Sequence, residues 1–566
     1  MKVDGQVVPR AHHLLAASVV KQANRISSAR LVYQDGSAAA SDFPLSNEDT
    51  FLPGKEVEIL AGTSSDPQSL FTGVVVRQSL KVRDKKPAQL VVDCRHKAFK
   101  LAVGRKNAAF FDQKDSDVIS AILDAASLTA DVEATSVSHP QQVQYRCTDW
   151  DFLLARADAN GKLVLTNDGG VAVKAPALSG PAACTLLFGA TLLELDAEMD
   201  ARAQFSGVKA LTWDPAQQAV VQKDAADPGS AAPGNVGSDD LAAVAALDGL
   251  ELAHAAILED EAQAWADARW LRSKLDKVSG RAKCEGIGTI NPGDRVTLSG
   301  VGQRFSGDVL VTGVRHDLDP AQGWKTHVQF GGLERGGGGG DAEARVSAPA
   351  AGSLLAVARG LQIGKVTSNE DPDGEHRVRV KLPLVDPDDD GIWARVASPD
   401  AGDDRGFFFR PEIDDEVVVG FLDGDPRHAV ILGMLHSSAL PAPLTGSDDN
   451  HEKVYQSRSK MKLYFNDDKK VIRLETPAGN LLTLSEDDKA IVLADQNGNK
   501  IEMTEDGIKI EAAKALQLKA GTELKLESGT ALRAKGGTEL KLEGTSSAEL
   551  SSSAVTKVKG SLVQLN

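Results

Sequence analysis

Cysteine is scarce: Cys94, Cys147, Cys184 and Cys284 are the only four in 566 residues, and none forms a C-x-x-C pair. That excludes a disulfide scaffold and a cysteine-based zinc module, and it predicts free thiols in a protein made in the cytoplasm. No apolar run approaches the length of about 20 residues that a membrane-spanning helix needs, so none is expected. Residues 14–20 are too short, and wrongly flanked, for a secretory signal peptide. Positive charge is also in deficit. Lys and Arg total 63 against 80 Asp and Glu, a net charge of −17, which argues against nucleic acid as the main partner. Aromatic residues make up 5% of the chain and stop altogether after Phe465. Whatever interior the last hundred residues build is too narrow for a ring.

What those residues do contain is an unbroken period of two. From Leu516 to Leu562 all 24 even-numbered positions are Leu, Val, Ala, Thr, Ser or Gly, while Lys and Glu recur at odd ones. Strict alternation means β-strand with one buried face. Strands average about five or six residues, so the run predicts strand after strand with corners that keep phase. A period of eight lies on top: GTELKLE occurs at 521–527 and again at 537–543, with Gly529-Thr530-Ala531-Leu532 midway. One such strand has an apolar face and nothing to cover it. Three chains wound about one axis would bury Leu516, Leu518, Leu524, Leu526, Leu532, Leu540, Leu542, Leu550, Val558 and Leu562 and leave no long open edge. A single-chain solenoid needs three octads per coil, a 24-residue repeat, and the sequence repeats at 16. We therefore expect a homotrimeric rod over residues 471–566.

Length suggests three or four domains. Residues 1–335 read as mixed β with helices at 116–126 (capped by Asp115 or Ser116), 149–157 and 254–278, and with a long loop at 214–248. Gly336 to Gly340 are five consecutive glycines, so 336–358 reads as a flexible linker. Residues 359–440 read as a small OB-like barrel of five short strands, and 441–566 as the spike. The expected fold class is mainly β.

Several segments together resemble the VgrG family of contractile-injection-system spikes, which includes phage baseplate relatives. In the front region these are Gln144-Tyr145-Arg146-Cys147-Thr148-Asp149-Trp150-Asp151-Phe152-Leu153, Pro292-Gly293-Asp294, Phe305-Ser306-Gly307 and Val314-Arg315-His316. In the barrel they are Asp373-Gly374-Glu375-His376-Arg377-Val378-Arg379-Val380, Trp393-Ala394-Arg395-Val396, Phe409-Arg410-Pro411-Glu412, Asp425-Pro426-Arg427 and Gly433-Met434-Leu435-His436. The last two look more like the branch that builds phage-tail-like extracellular particles. Asp414 stands where many relatives carry glycine. The resemblance implies a hub of two β-barrels at 1–335 that docks an inner-tube protein or tube adaptor and other baseplate proteins. It implies a triple-stranded β-helix as the spike. It also implies a PAAR-type tip protein bound at Leu562, Val563, Gln564, Leu565 and Asn566, with puncture of a target membrane.

Catalytic and cofactor signatures fail on inspection. Residues 440–471 are too few for an inserted enzyme domain, and nothing after the rod suggests an effector. Asp386-x-Asp388-x-Asp390-Gly391 opens like a calcium loop, but its twelfth position is Ala397, so we read a solvated turn. His451-Glu452 lacks the second histidine of a zinc protease, for Tyr455 stands in its place. Gly300-Val301-Gly302 lacks the third glycine of a dinucleotide loop. His12 and His13 read as a surface pair, and Trp393 as barrel core. No catalytic, metal or cofactor residue is assigned. The expected function is a structural, non-enzymatic trimeric spike within an assembled, possibly released particle. The alternatives are a type VI secretion VgrG or phage spike that carries an effector, or a trimeric fibre or adhesin.

Overall fold

The computed structural model describes the chain except residues 10, 64–65, 168, 230–232, 247–248, 334–349, 386–389 and 566. The five glycines, the first four residues of the calcium-like loop and Asn566 thus lie outside the described residues. The protein is mainly β, and it divides into two compact units, Met1–Leu440 and Pro441–Asn566.

The first unit is built on a large antiparallel sheet made of two halves. Strands Glu56–Thr63, Asp66–Arg83, Lys86–Arg95, Ser28–Gln34 and Leu14–Gln22 form one; Gly307–Asp319, Gly323–Phe330, Val278–Glu285 and Leu192–Met199 form the other. They join where Gly313 to Leu318 pair with Gln22 to Ala17. Each half has its own core, around Leu31, Phe51, Phe71 and Val92 in the first and Val296, Val311, Val328 and Phe330 in the second.

Helices pack beside these sheets. Asp115–Ala125 starts where 116–126 is expected, but Asp115 caps nothing; its carboxylate turns inward. Asp149–Ala159 is capped by Thr148, whose hydroxyl accepts the Asp151 N–H at 3.0 Å. The expected helix 254–278 shortens to Glu259–Leu275. His254 belongs instead to the strand Leu250–His254, and Val278 begins the next strand. The helix's acidic first turn, Glu259, Asp260 and Glu261, complements its dipole. The expected loop 214–248 contains strand Ala219–Asp224 and helix Ser238–Ala245; short elements amid Ala, Asp and Pro leave too little periodicity to read.

Five strands close the OB-type barrel: Gln362–Ser368, Val378–Lys381, Ile392–Val396, Ala429–Met434 and Glu416–Phe421. Alternation puts Val366, Val378, Val380, Ile392, Ala394, Val417, Val419 and Ile431 inside. Trp393, between two inward residues, therefore faces outward, which corrects its assignment to the core. Arg377 and Arg379 stack over its ring at 5.5 and 5.9 Å. Asp414 takes the left-handed conformation at φ 73°, and its carboxylate pairs with Lys365 at 2.8 Å.

The segment 350–358 is also corrected. Far from being linker-like, Ala351, Leu354, Leu355 and Ala358 are buried, and they contribute to the cores of both the front region and the barrel.

The second unit opens with a seven-stranded antiparallel meander: Glu452–Gln456, Lys462–Asn466, Val471–Glu475, Leu481–Ser485, Ala490–Ala494, Lys500–Thr504 and Gly507–Glu511. The octads begin only after it, at about 513, so the first part of the expected rod, 471–511, is meander rather than octad.

Candidate trimerisation surface

Beyond Glu511 the chain bends at 513–514, 521–522, 529–530, 537–538, 545–546, 553–554 and 561–562, with six extended residues between bends. The eight-residue unit is thus a geometric one. Residues two before the second bend position (Ala520, Ser528, Gly536, Gly544, Ser552, Gly560) are all small. At Gly536 and Gly544 the reason is direct: an added Cβ would meet the carbonyl oxygens of Glu539 and Ser547 at 2.0 and 2.1 Å. Mid-strand, some octads carry two large inner-phase residues, such as Leu524 and Leu526 or Leu540 and Leu542, and others carry one beside a small one, such as Leu532 with Ala534 or Leu550 with Ala548.

Within one chain nothing covers them. Every described residue from 512 onward is exposed. Leu526 is 62%, Leu542 82% and Leu565 91% accessible, and Leu516, Leu518, Leu524, Leu532, Leu540, Leu550, Val558, Leu562 and Val563 are exposed as well. No backbone hydrogen bond pairs these extended segments among the described residues. An extended backbone with an apolar face and unpaired N–H and C=O groups is one part of a larger sheet. The odd positions carry charge that pairs along the same segment. Lys525 meets Glu527 at 2.6 Å, and Lys541 bonds Glu543.

The meander adds a second face that the period-two reading of the tail missed. Cross-strand pairs Phe465 with Ile472, Leu474 with Leu482, Leu484 with Ile491, Leu493 with Ile501, and Met503 with Ile508 lie on one side. Polar residues such as Arg473, Thr483, Glu502 and Lys509 occupy the other. The apolar side is open: Ile472, Leu474, Leu484, Ile491, Leu493, Met503, Ile508 and Ile510 are all exposed. Together with Leu516 part of it lines a trough of about 750 Å3. Fully burying one such side chain stabilises by about 1.5–3 kcal/mol, so a dozen half-exposed ones leave on the order of 10 kcal/mol per chain unrealised. The signal was present in VIRLE, LLTLS, KIEMT and GIKIE, but five-residue strands with irregular turns keep no common phase. On the outer side Lys509 and Glu511 bond at 2.6 Å, which raises the lysine's pKa and lowers the carboxylate's.

A second constellation joins the front region to the barrel. Arg427 makes two bonds of 2.9 Å to Glu261 and is held by Asp425 from 2.7 Å. Arg156 bonds Asp115 at 2.8 and 2.9 Å and Glu261 at 2.9 Å, and it donates to the Leu354 carbonyl at 3.2 Å. His139 lies 3.2 Å from Asp115 and 3.6 Å from Glu261. All are buried. Burial raises the Glu261 carboxyl, but Arg427 and Arg156 outweigh it and hold the group at about 2. Asp115 is likewise lowered, its burial more than offset by Arg156 and His139. Val143 and Tyr145 of the strand Ser138–Cys147 enter the barrel core beside these charges. In the sequence Asp425-Pro426-Arg427 stands out only for its resemblance; Glu261 lies too far along the chain to leave a local signal.

The other sequence candidates make ordinary contacts. His12 lies 3.4 Å from Glu48, and His13 lies 3.1 Å from Gln34. His451 and Tyr455 are exposed.

Comparison with known proteins follows the same division. Residues 1–320 match the family model described as the Alg8 N-terminal domain. Residues 362–436 match the type VI secretion system/phage-baseplate injector OB domain, and 471–556 the phage baseplate V C-terminal trimerisation domain. The chain belongs to the Alg8 family and carries the VgrG-like baseplate V domains. Its OB domain is thus the barrel described above, and its trimerisation domain spans both the meander and most octads. No curated protein matches the chain. Among solved structures, a chain of the Francisella PdpA–VgrG complex aligns at 7% identity and TM-score 0.50, over 88% of this chain and 84% of that one. The E. coli c3393 protein, described as a type VI secretion component similar to T4 tail proteins gp27 and gp5, aligns at 14% identity and TM-score 0.47, over 77% and 99%. A 43 kDa tail protein of a Shewanella oneidensis prophage aligns at 14% identity and TM-score 0.43, over 58% and 96%.

Proposed function

We propose that this VgrG-like chain is the non-enzymatic, homotrimeric central spike of a contractile injection system. One observation carries the reading: the unit Pro441–Asn566 has two apolar faces and a run of unpaired extended segments, in the region that matches a trimerisation domain. Its front region docks the inner-tube protein or a tube adaptor and other baseplate proteins. Its last octads, through Leu562, Val563, Gln564, Leu565 and Asn566, hold a PAAR-type tip protein. Contraction drives the rod through a target membrane by force, so no catalytic group is required. The protein is made in the cytoplasm and leaves it as part of an assembled particle.

The test is the mass of the purified protein. It should be three times the 59.7 kDa of one chain, and the trimer should resist SDS or mild heat through its tail. A monomeric mass at micromolar concentration overturns the reading. Carriage of an additional protein is the second reading, favoured by a fold relative that comes from a PdpA–VgrG complex. Co-purification of a stoichiometric passenger with the trimer separates the two.

A further inference from the structure

At the edge of the buried ionic junction two imidazoles converge on one carboxylate. His254 lies at the end of the strand Leu250–His254, Asp425 and His428 in the loop before the barrel strand Ala429–Met434. Nε2 of His254 is 3.2 Å from Asp425 Oδ2, and Nε2 of His428 is 4.0 Å from the same oxygen. One ligand atom from each of the three falls within 4.8 Å of the others. Both Nε2 atoms are buried; that of His254 has only the Asp425 carboxylate beside it, and that of His428 makes no hydrogen bond. A buried polar atom without a partner is costly and rare in a native interior. One that faces a carboxylate already shared by a second imidazole needs an explanation.

The surrounding junction is ionic: Asp115, Glu261 and Asp425 face Arg156 and Arg427, with His139 beside Asp115 and Glu261. Arg427 bonds the same Asp425 Oδ2 at 2.7 Å and Glu261 at 2.9 Å. We propose that His254, Asp425 and His428 form a divalent transition-metal site, preferring zinc, which staples the strand Leu250–His254 to the OB-type barrel. Two imidazole nitrogens and one carboxylate oxygen suit zinc, which takes four ligands tetrahedrally. The His428 side chain is 26% accessible, so the site lies just beneath the surface, and a water would supply the fourth ligand. Loading has one internal cost. Ala256 N–H approaches Nδ1 of His254 at 3.3 Å, so the metal-free ring carries its proton on Nε2. Binding moves that proton to Nδ1, so the Ala256 hydrogen bond and the Nε2–H contact with Asp425 are both given up for a metal–nitrogen bond.

The experiment uses untagged full-length protein stripped with chelator, then loaded with Zn2+ or Co2+ and desalted. We expect one zinc per chain by elemental analysis, and with cobalt the intense visible bands of a four-coordinate site. His428→Ala, the more exposed ligand, should lose both while keeping the wild-type mass. Zinc should raise the melting temperature of wild type and leave His428→Ala unmoved. Less than a tenth of a metal ion per chain in wild type, or cobalt bands undiminished in His428→Ala, overturns the site. Neither result bears on the trimer, because the mass is read separately in the stripped protein.

Discussion

A single inward-phase leucine and its neighbour make the sharpest residue-scale contrast. Leu526→Lys would set three ammonium groups at one level of a narrow apolar axis. Each costs several kcal/mol when buried without a partner, and the three repel. Glu527→Lys alters a solvated face, where an ion pair contributes about 0–1 kcal/mol. We expect the first variant to be monomeric and the second trimeric by mass photometry; equal loss in both would mean the phase is misassigned. His316 offers a pH-dependent counterpart. Its ring is buried beside Trp324, which donates to Nδ1 at 3.4 Å. Burial, with Lys21 nearby, lowers its pKa from 6.5 to about 4. The folded state therefore holds it neutral where the unfolded chain takes a proton. Its contribution is intact above pH 6.5 and lost progressively as pH falls toward 4, by roughly 3 kcal/mol in all. His316→Asn should flatten the wild-type decline of unfolding free energy between those values. Parallel curves for the two proteins would refute the assignment.

At the scale of elements, the buried junction shows what long-range pairing does. Arg427→Met removes the guanidinium between Glu261 and Asp425 and leaves two carboxylates facing each other in the interior. That should cost about 3–5 kcal/mol in denaturant unfolding. Adding Glu261→Gln should recover part of the loss, the signature of a coupled pair; full additivity would show that the two do not act together. This junction also marks the limit of sequence reading. The octads were legible because every eighth residue obeys the same local rule, small at the corner and apolar at mid-strand. The barrel strands were legible because alternation and turn residues are local too. Trp393 was misread because a tryptophan between Ile392 and Ala394 must face away from them, a fact of phase that size concealed. Residues 350–358 were misread because a glycine run and Ala-rich composition signal flexibility. Ala351 and Leu354 are nonetheless buried by helix Glu259–Leu275 and its neighbours, which sequence cannot bring to them. The meander's apolar face went unassigned because its strands start at uneven intervals, and only the register aligns Leu474 with Leu482 and Leu493 with Ile501.

For the whole molecule the open matter is which surface meets which partner. The core of the OB-type barrel includes Val143 and Tyr145 from the front region, and Arg427 reaches Glu261. A fragment ending at residue 335 would strip that cover and expose both a hydrophobic core and an uncompensated Glu261. The tube-docking test therefore belongs to Met1–Leu440, the compact unit, which we expect to bind the inner-tube protein or its adaptor without the tail. Binding that tracks with Pro441–Asn566 instead would reverse the assignment. The tip partner is tested at the other extreme. Leu562 and Leu565 are 82% and 91% accessible, and three copies present an apolar triangle with unpaired strand edges, which proteins normally cover. Deleting residues 560–566 removes that triangle but leaves Leu516, Leu518, Leu524, Leu526, Leu532, Leu540, Leu542, Leu550 and Val558 to hold three chains together. The truncated protein should therefore keep a trimeric mass, three times that of its own shortened chain, and lose capture of a PAAR-type protein in a pull-down. Capture by the truncated trimer would place the tip partner elsewhere. Loss of the trimer itself would mean that the last octad closes the assembly as well as presenting it.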